Sequence, residues 1–134
     1  FLIQPQIDMP ALVNIMGVPL LLIGTFLHIW TAKLLGFLVI MGIPELSPTV
    51  QMGITRKGVF SVVRHPTYFA HTVIFIGVFL ITEVAWIGII TVLDFVVVNL
   101  LISPLEEKEL QNRFGEQYSS YKKDVPRRLI PWIY

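Results

Sequence analysis

Cysteine is absent from the 134 residues. That excludes disulfides, thiolate nucleophiles and Cys-ligated metal sites together. Charge is scarce: 14% of residues are charged, against roughly 25% in ordinary soluble domains. Lys and Arg are missing altogether from residues 1–30 and 66–104. Neither Gly-x-Gly-x-x-Gly nor Gly-x-x-x-x-Gly-Lys occurs, so no phosphate-cradling loop is expected. His65 and His71 stand six apart, and no His pair has helical ligand spacing around a carboxylate, so no metal site is expected. The start carries no basic n-region of a signal peptide. Phe1 is not an initiator Met, which leaves room for an upstream segment.

What remains is apolar. Hydrophobic residues make up 54% of the chain, and the mean hydropathy is +0.73. Three separate apolar runs point to one integral membrane domain over residues 1–134. The ten Lys and Arg residues form two blocks, Lys33 to Arg64 and Lys108 to Arg128. The positive-inside rule puts both in the cytoplasm. Residue 1 is then outside, and the C-terminus is inside. The expected fold is an all-α polytopic membrane protein of about three transmembrane helices, one span plus a helical hairpin, with a cytoplasmic C-terminal helix. No nucleic-acid partner is expected, since anionic lipid accounts better for so few cations.

In chain order, residues 1–10 form an extracytoplasmic lead-in. Residues 11–30 are nearly all apolar, close to the ~20 needed to cross a hydrocarbon core. Gly17 and Gly24 suggest close helix packing. His28 reads as a hydrogen-bonded or interface-facing residue rather than a ligand. Residues 34–43 are apolar but too short to span, and fit a re-entrant segment. Residues 44–58 form a loop. Pro66 suits a first helical position, so the second span is 66–81, with Thr82-Glu83 as turn. The third is 84–102 and contains Asp94 and Asn99. Those two either bond between helices or face the ligand. Ser103-Pro104-Leu105-Glu106 matches a capping box and predicts a new helix starting at Ser103. Leu110, Phe114, Tyr118 and Tyr121 share a face of that helix, which Gly115 weakens.

Three clusters near the cytoplasmic boundary could carry chemistry. The first is Arg64, His65 and Tyr68, with His71 one turn further in. Free N–H groups and the positive helix end there favour an anionic ligand group. The second is Glu106-Glu107, and the third is Tyr118, Tyr121 and Arg127. Each has a plainer reading as topology anchor, helix-dipole partner or packing stripe.

Five motifs then occur in order: Arg-His-Pro-x-Tyr at 64–68, a hydrophobic hairpin, Glu-Glu-x-x-Leu at 106–110, Phe-Gly-x-x-Tyr-x-x-Tyr at 114–121 and Val-Pro-Arg at 125–127. Together these resemble the isoprenylcysteine carboxyl methyltransferase and phospholipid N-methyltransferase superfamily of integral membrane methyltransferases. The resemblance covers about residues 53–131. Family members usually carry Gly two residues after the Tyr, where this chain has Ala70.

The resemblance implies S-adenosylmethionine as methyl donor, held between the cytoplasmic ends of the hairpin and the C-terminal segment. It assigns Arg64, His65, Tyr68, Glu106, Glu107, Tyr118 and Tyr121 to cofactor binding. A guanidinium can fork onto a carboxylate, carboxylates can accept from hydroxyls, and aromatic faces can stabilise a sulfonium. Arg64, His65 and His71 form the expected catalytic group. A carboxylate acceptor needs no base, whereas an amine or thiol needs His65 or His71 to take a proton. The acceptor is a lipid or lipidated molecule, of the prenylcysteine carboxylate or phospholipid amine type. Two alternatives are an NADPH-dependent sterol reductase and a non-catalytic lipid-binding subunit. The reductases usually follow His-Pro with Asn-Tyr-x-Gly-Glu, and this chain has Thr67-Tyr68-Phe69-Ala70-His71.

Overall fold

The computed structural model describes residues 4–36, 39, 53–131 and 133. Helix α1, Ala11–Leu35, has 25 residues. At 1.5 Å per residue it is about 37 Å long, enough to cross a bilayer core of about 30 Å. Its bonding is interrupted at Met16. The cause lies ahead of that point, because Pro19 has no N–H to give the Ile15 carbonyl. The helix ends at Gly36, whose φ of 94° favours glycine.

Helix α2, Pro66–Thr82, starts with its proline in the first turn, as the sequence predicts. Glu83 adopts the left-handed conformation, and its N–H donates to the Phe79 carbonyl at 2.9 Å. The chain thereby turns into α3, Ala85–Phe114. The lead-in runs against this turn: the Ile7 N–H donates to the Glu83 carbonyl, and the Ala85 N–H to the Pro5 carbonyl.

Helices α1 and α2 are antiparallel and nearly touch. A Cβ on Gly17 would lie 2.7 Å from the Gly77 carbonyl oxygen, and one on Gly24 would lie 2.9 Å from the Ile74 nitrogen. Small residues let the two backbones approach this closely. Asn14 locks the pair at one end, its Nδ2 donating to the Leu80 carbonyl at 2.8 Å.

The expected break at Ser103 does not occur. Ser103 is helical, with φ −59° and ψ −43°, and makes no capping bond. The chain passes through one π-helical stretch, Val98–Ile102, and continues to Phe114. Pro104 explains the bulge: it cannot bond the Leu100 carbonyl and would clash with it in a regular helix. The helix break falls at Gly115 instead, where φ is 52°. The expected single cytoplasmic helix is therefore the last part of α3 followed by α4, Glu116–Asp124. The aromatic stripe still converges, since Tyr118, Tyr121 and Val125 are buried together with Ile54, Leu110 and Phe114 packed against them.

Among the described residues the other local elements are one 3₁₀ turn at Gly58–Ser61 and one isolated bridge between Gln6 and Val84, joined by irregular chain. In the apolar windows of α1 and α3 only 11% of residues are buried. A core helix of a soluble protein would be mostly covered, so these surfaces fit lipid. Both helices are long and apolar enough to cross a membrane, and α2 is a shorter apolar helix. The apolar part of α3 ends at Ile102, and the residues beyond it are mainly polar. The expected re-entrant segment 34–43 and loop 44–58 lie largely outside the described residues.

Candidate functional site

The start of α2 is tied to the segment after α4. The Arg64 N–H donates to the Arg127 carbonyl at 3.0 Å, and the His65 N–H to the Arg128 carbonyl at 2.9 Å. These two amides are thus occupied by the protein. Within this clasp Arg64 is buried. Its Nε and Nη2 each lie 2.9 Å from Glu107 Oε1. Its Nη1 donates to the carbonyls of Val125 and Pro126, at 2.8 and 2.7 Å.

Glu107 is the centre of a cation cluster. Besides Arg64, its carboxylate meets His65 Nε2 at 3.2 Å, Lys122 Nζ at 3.3 Å and Arg128 Nε at 3.3 Å. Burial opposes its ionisation, but the hydrogen bonds from His65 and Arg64 outweigh that effect. The carboxyl is held well below the usual carboxylate range. His65 is bracketed, with Nδ1 3.4 Å from Glu106 and Nε2 facing Glu107. Burial disfavours its charged form, yet the two carboxylates prevail and raise its pKa above the ordinary 6.5. Each ring nitrogen faces a carboxylate, an arrangement that favours the protonated ring.

A cavity of about 640 Å³ opens beside this cluster. The first turn of α2 contributes Thr67 and Tyr68, where backbone N–H groups lack partners within the helix. One turn further in, His71 reaches the cavity, and its ring centroid is 4.7 Å from that of His28. Glu106, Glu109 and Arg113 line it from α3, and Tyr118 and Tyr121 from α4. Phe60 and Phe114 add aromatic wall. The Tyr68 ring stacks against His65 at 5.8 Å.

The two α4 tyrosines differ. Tyr121 Oη donates to the Phe60 carbonyl at 2.8 Å, and Arg56 lies over its ring. Tyr118 is 1% exposed, and its hydroxyl has no partner among the described residues. Burial, then the Glu107 charge, push its pKa up to about 12, so the hydroxyl keeps its proton.

The structure therefore brings Arg64, His65, Tyr68, His71, Glu106, Tyr118 and Tyr121 to one cavity wall. Glu107 is behind the wall, and Arg127 lines a separate cavity. Asn99 bonds within its own helix, its Nδ2 donating to the Phe95 carbonyl. Glu109 and Arg113 were not singled out from the sequence. They form an i,i+4 ion pair at 3.1 Å, and Glu106, Glu109 and Arg113 fall at i, i+3 and i+7 of one helix face. That spacing was the available signal. Among the described residues, no group of three or more His, Asp or Glu is arranged to hold a metal ion.

These features define a helical membrane protein with a large, partly charged cavity at the boundary between its apolar and polar parts. The chain belongs to the phospholipid methyltransferase family, whose family model matches residues 12–117. No curated protein and no solved structure matches it. The family is one of methyltransferases and, with the apolar helices, gives a membrane-associated protein suited to lipid-type substrates.

Proposed function

We propose that this chain transfers a methyl group from S-adenosylmethionine to a lipophilic acceptor, with its site and its C-terminus on the cytoplasmic side. The observation that carries the proposal is the 640 Å³ cavity, in which dispersed motif residues from α2, α3 and α4 meet. Such a cavity falls within the usual volume range for small-molecule sites. Its residues suit the donor's chemistry. Glu106 offers acceptors for hydroxyls or an ammonium, Arg113 a cation for a carboxylate, and Tyr118 an unpartnered hydroxyl. Phe60, Phe114 and the tyrosines offer aromatic faces to a sulfonium. When bound, the donor supplies an electrophilic methyl group.

The residues of the chain divide the remaining work. Arg64, His65 and Glu107 form a buried ionic lock that fixes the start of α2 against α3 and the C-terminal segment. Arg64 then acts as a positioning residue, because its guanidinium already serves Glu107 and two carbonyls. His65, held as a cation between two carboxylates, orients Glu106 and stacks on Tyr68. His71 is the remaining imidazole on the cavity wall, and takes the proton from an amine acceptor. Positioning and electrostatics provide the rest. The acceptor reaches the cavity sideways from the bilayer, since His71 lies within the apolar α2.

The test is transfer of a radiolabelled methyl group. Purified protein, labelled S-adenosylmethionine and a membrane lipid extract should give label in the organic phase. Label remaining wholly in the aqueous phase, from protein that binds the donor, would exclude a lipid acceptor.

A further inference from the structure

His28 is the one titratable residue of α1 ahead of Lys33, and it stands in the apolar part of that helix. An ionisable side chain there is costly and marks a functional position. Its Nδ1 is enclosed and has no hydrogen-bond partner among the described residues. Such an atom is costlier still where water does not reach it. The His28 ring lies against that of His71, with centroids 4.7 Å apart and planes tilted by 36°. His71 lines the large cavity, whereas His28 stands behind it.

The backbones set this contact. Gly24, one turn before His28, packs on the turn of α2 that carries His71. A Cβ on it would lie 2.9 Å from the Ile74 nitrogen and 3.1 Å from the Ala70 carbonyl oxygen. The two rings therefore sit beside a point where the helices nearly touch. Thr31 fixes the next turn of α1, its hydroxyl donating to the His28 carbonyl at 2.9 Å. Asp94, the one ionisable residue in the apolar part of α3, is near enough for its charge to act on His71. His71 thus has an imidazole on one neighbouring helix and a carboxylate on another.

The next step rests on the reading of His71 as base for an amine acceptor. Once His71 holds the proton of the ammonium, it is a cation in an apolar layer and cannot act again. Returning the proton to the cavity would undo the deprotonation. We infer that His28 relays this proton out of the site, taking it from His71 at the unpartnered Nδ1 and giving up the proton on its own Nε2. The transfer from His71 runs directly or through one water. Each transfer breaks one N–H bond and forms another bond to the same proton, with no electron gained or lost, and a ring flip restores the starting tautomer. Lys33 marks the polar boundary five residues on, about 7.5 Å along the helix. His28 acts through His71, and so is a positioning residue for the base.

Rapid mixing of detergent-purified protein, radiolabelled S-adenosylmethionine and dioleoylphosphatidylethanolamine, a lipid primary amine, tests this. His28→Phe keeps a ring against His71 that cannot carry a proton. Its first turnover should match wild type, since His71 can still take one proton. Its steady-state turnover should fall at least about tenfold, less than the 10²–10⁴ lost with a general base itself. Affinity for S-adenosylhomocysteine should not change. Added imidazole should restore steady-state turnover to His28→Ala. A packing role alone would slow both phases alike and would not respond to imidazole. Equal slowing of both phases, or full steady-state turnover in a folded variant, overturns the inference and leaves methyl transfer standing. A wild type that methylates a lipid extract but not this amine also overturns it, because no proton then has to leave. A wild type that labels no lipid at all overturns the methyl-transfer reading, and the relay with it.

Discussion

Arg64 and Glu107 lie 43 residues apart in sequence, yet two nitrogens of one guanidinium meet a single carboxylate oxygen at 2.9 Å. Their side chains are 5% and 6% exposed. The pair joins the residues just ahead of α2 to the polar end of α3, and so sets one wall of the cavity. Removing one partner of a buried ion pair leaves an uncompensated charge, which costs about 3–5 kcal/mol. Glu107→Ala should therefore lower the unfolding midpoint in detergent sharply. An unchanged midpoint would show that the lock contributes nothing to stability.

Glu106, its neighbour, has a side chain 41% exposed and faces the cavity. Glu106→Gln should leave the midpoint near wild type and weaken S-adenosylhomocysteine binding about tenfold, or ~1.4 kcal/mol. Two adjacent glutamates thus separate into a stability residue and a binding residue. The reverse pattern, with Glu106→Gln unfolding the chain, would contradict the assignment.

The acid–base behaviour of the lock has a definite sign. His65 is raised above its ordinary 6.5, so the folded state holds the proton more tightly than the unfolded chain does. That stabilisation is complete below pH 6.5 and fades as pH rises through the folded value. Glu107 is depressed from its ordinary 4.5. Its stabilisation is complete above pH 4.5 and is lost as pH falls through the folded value. The midpoint should be highest between these two ordinary values and decline on the alkaline side. In His65→Gln the alkaline decline should shrink. A wild-type midpoint flat across the alkaline range would speak against a protonated His65.

The two tyrosines of α4 should respond oppositely to loss of their hydroxyls. Tyr121→Phe removes a buried bond to the Phe60 carbonyl, and should cost about 1 kcal/mol of stability. Tyr118→Phe removes a hydroxyl with no partner among the described residues. It should leave stability equal or slightly higher while weakening binding of S-adenosylhomocysteine. Thermal unfolding and calorimetric titration of both variants check this together. Equal losses of stability would mean that the Tyr118 hydroxyl has a structural role.

His71 should matter to the reaction and not to the donor. With an amine acceptor, His71→Ala should lower turnover by about 10²–10⁴-fold at unchanged affinity for S-adenosylhomocysteine. Turnover at saturating donor measures it. Undiminished turnover would remove His71 as the base and favour an acceptor that needs none.

Much of this architecture is legible in sequence because the signals are local. The charge-free runs give the apolar helices, Pro66 gives the start of α2, and Thr82-Glu83 gives the turn. Gly17 and Gly24 announce the tight contact with α2. The misreadings arise where local chemistry has two uses. Ser103-Pro104 matches a helix start, but a π-helical turn accommodates the proline without a break. Gly115 looks like a weak helical position, and its positive φ makes it the actual end of α3. Adjacent Glu106 and Glu107 read alike, and only packing decides that one is buried among cations. Arg64 reads as a free cation for a ligand, because nothing in its own segment announces the carbonyls of Val125 and Pro126. Arg113 is legible from its spacing to Glu106 and Glu109 on one helix face.

The most direct test of the central claim is a calorimetric titration of detergent-purified protein with S-adenosylhomocysteine, with NADPH run in parallel. Micromolar binding of S-adenosylhomocysteine, reduced in Glu106→Gln and Tyr118→Phe, and no binding of NADPH, is the predicted result. Binding of NADPH alone, or of neither compound by folded protein, would contradict a methyl-donor site in this cavity.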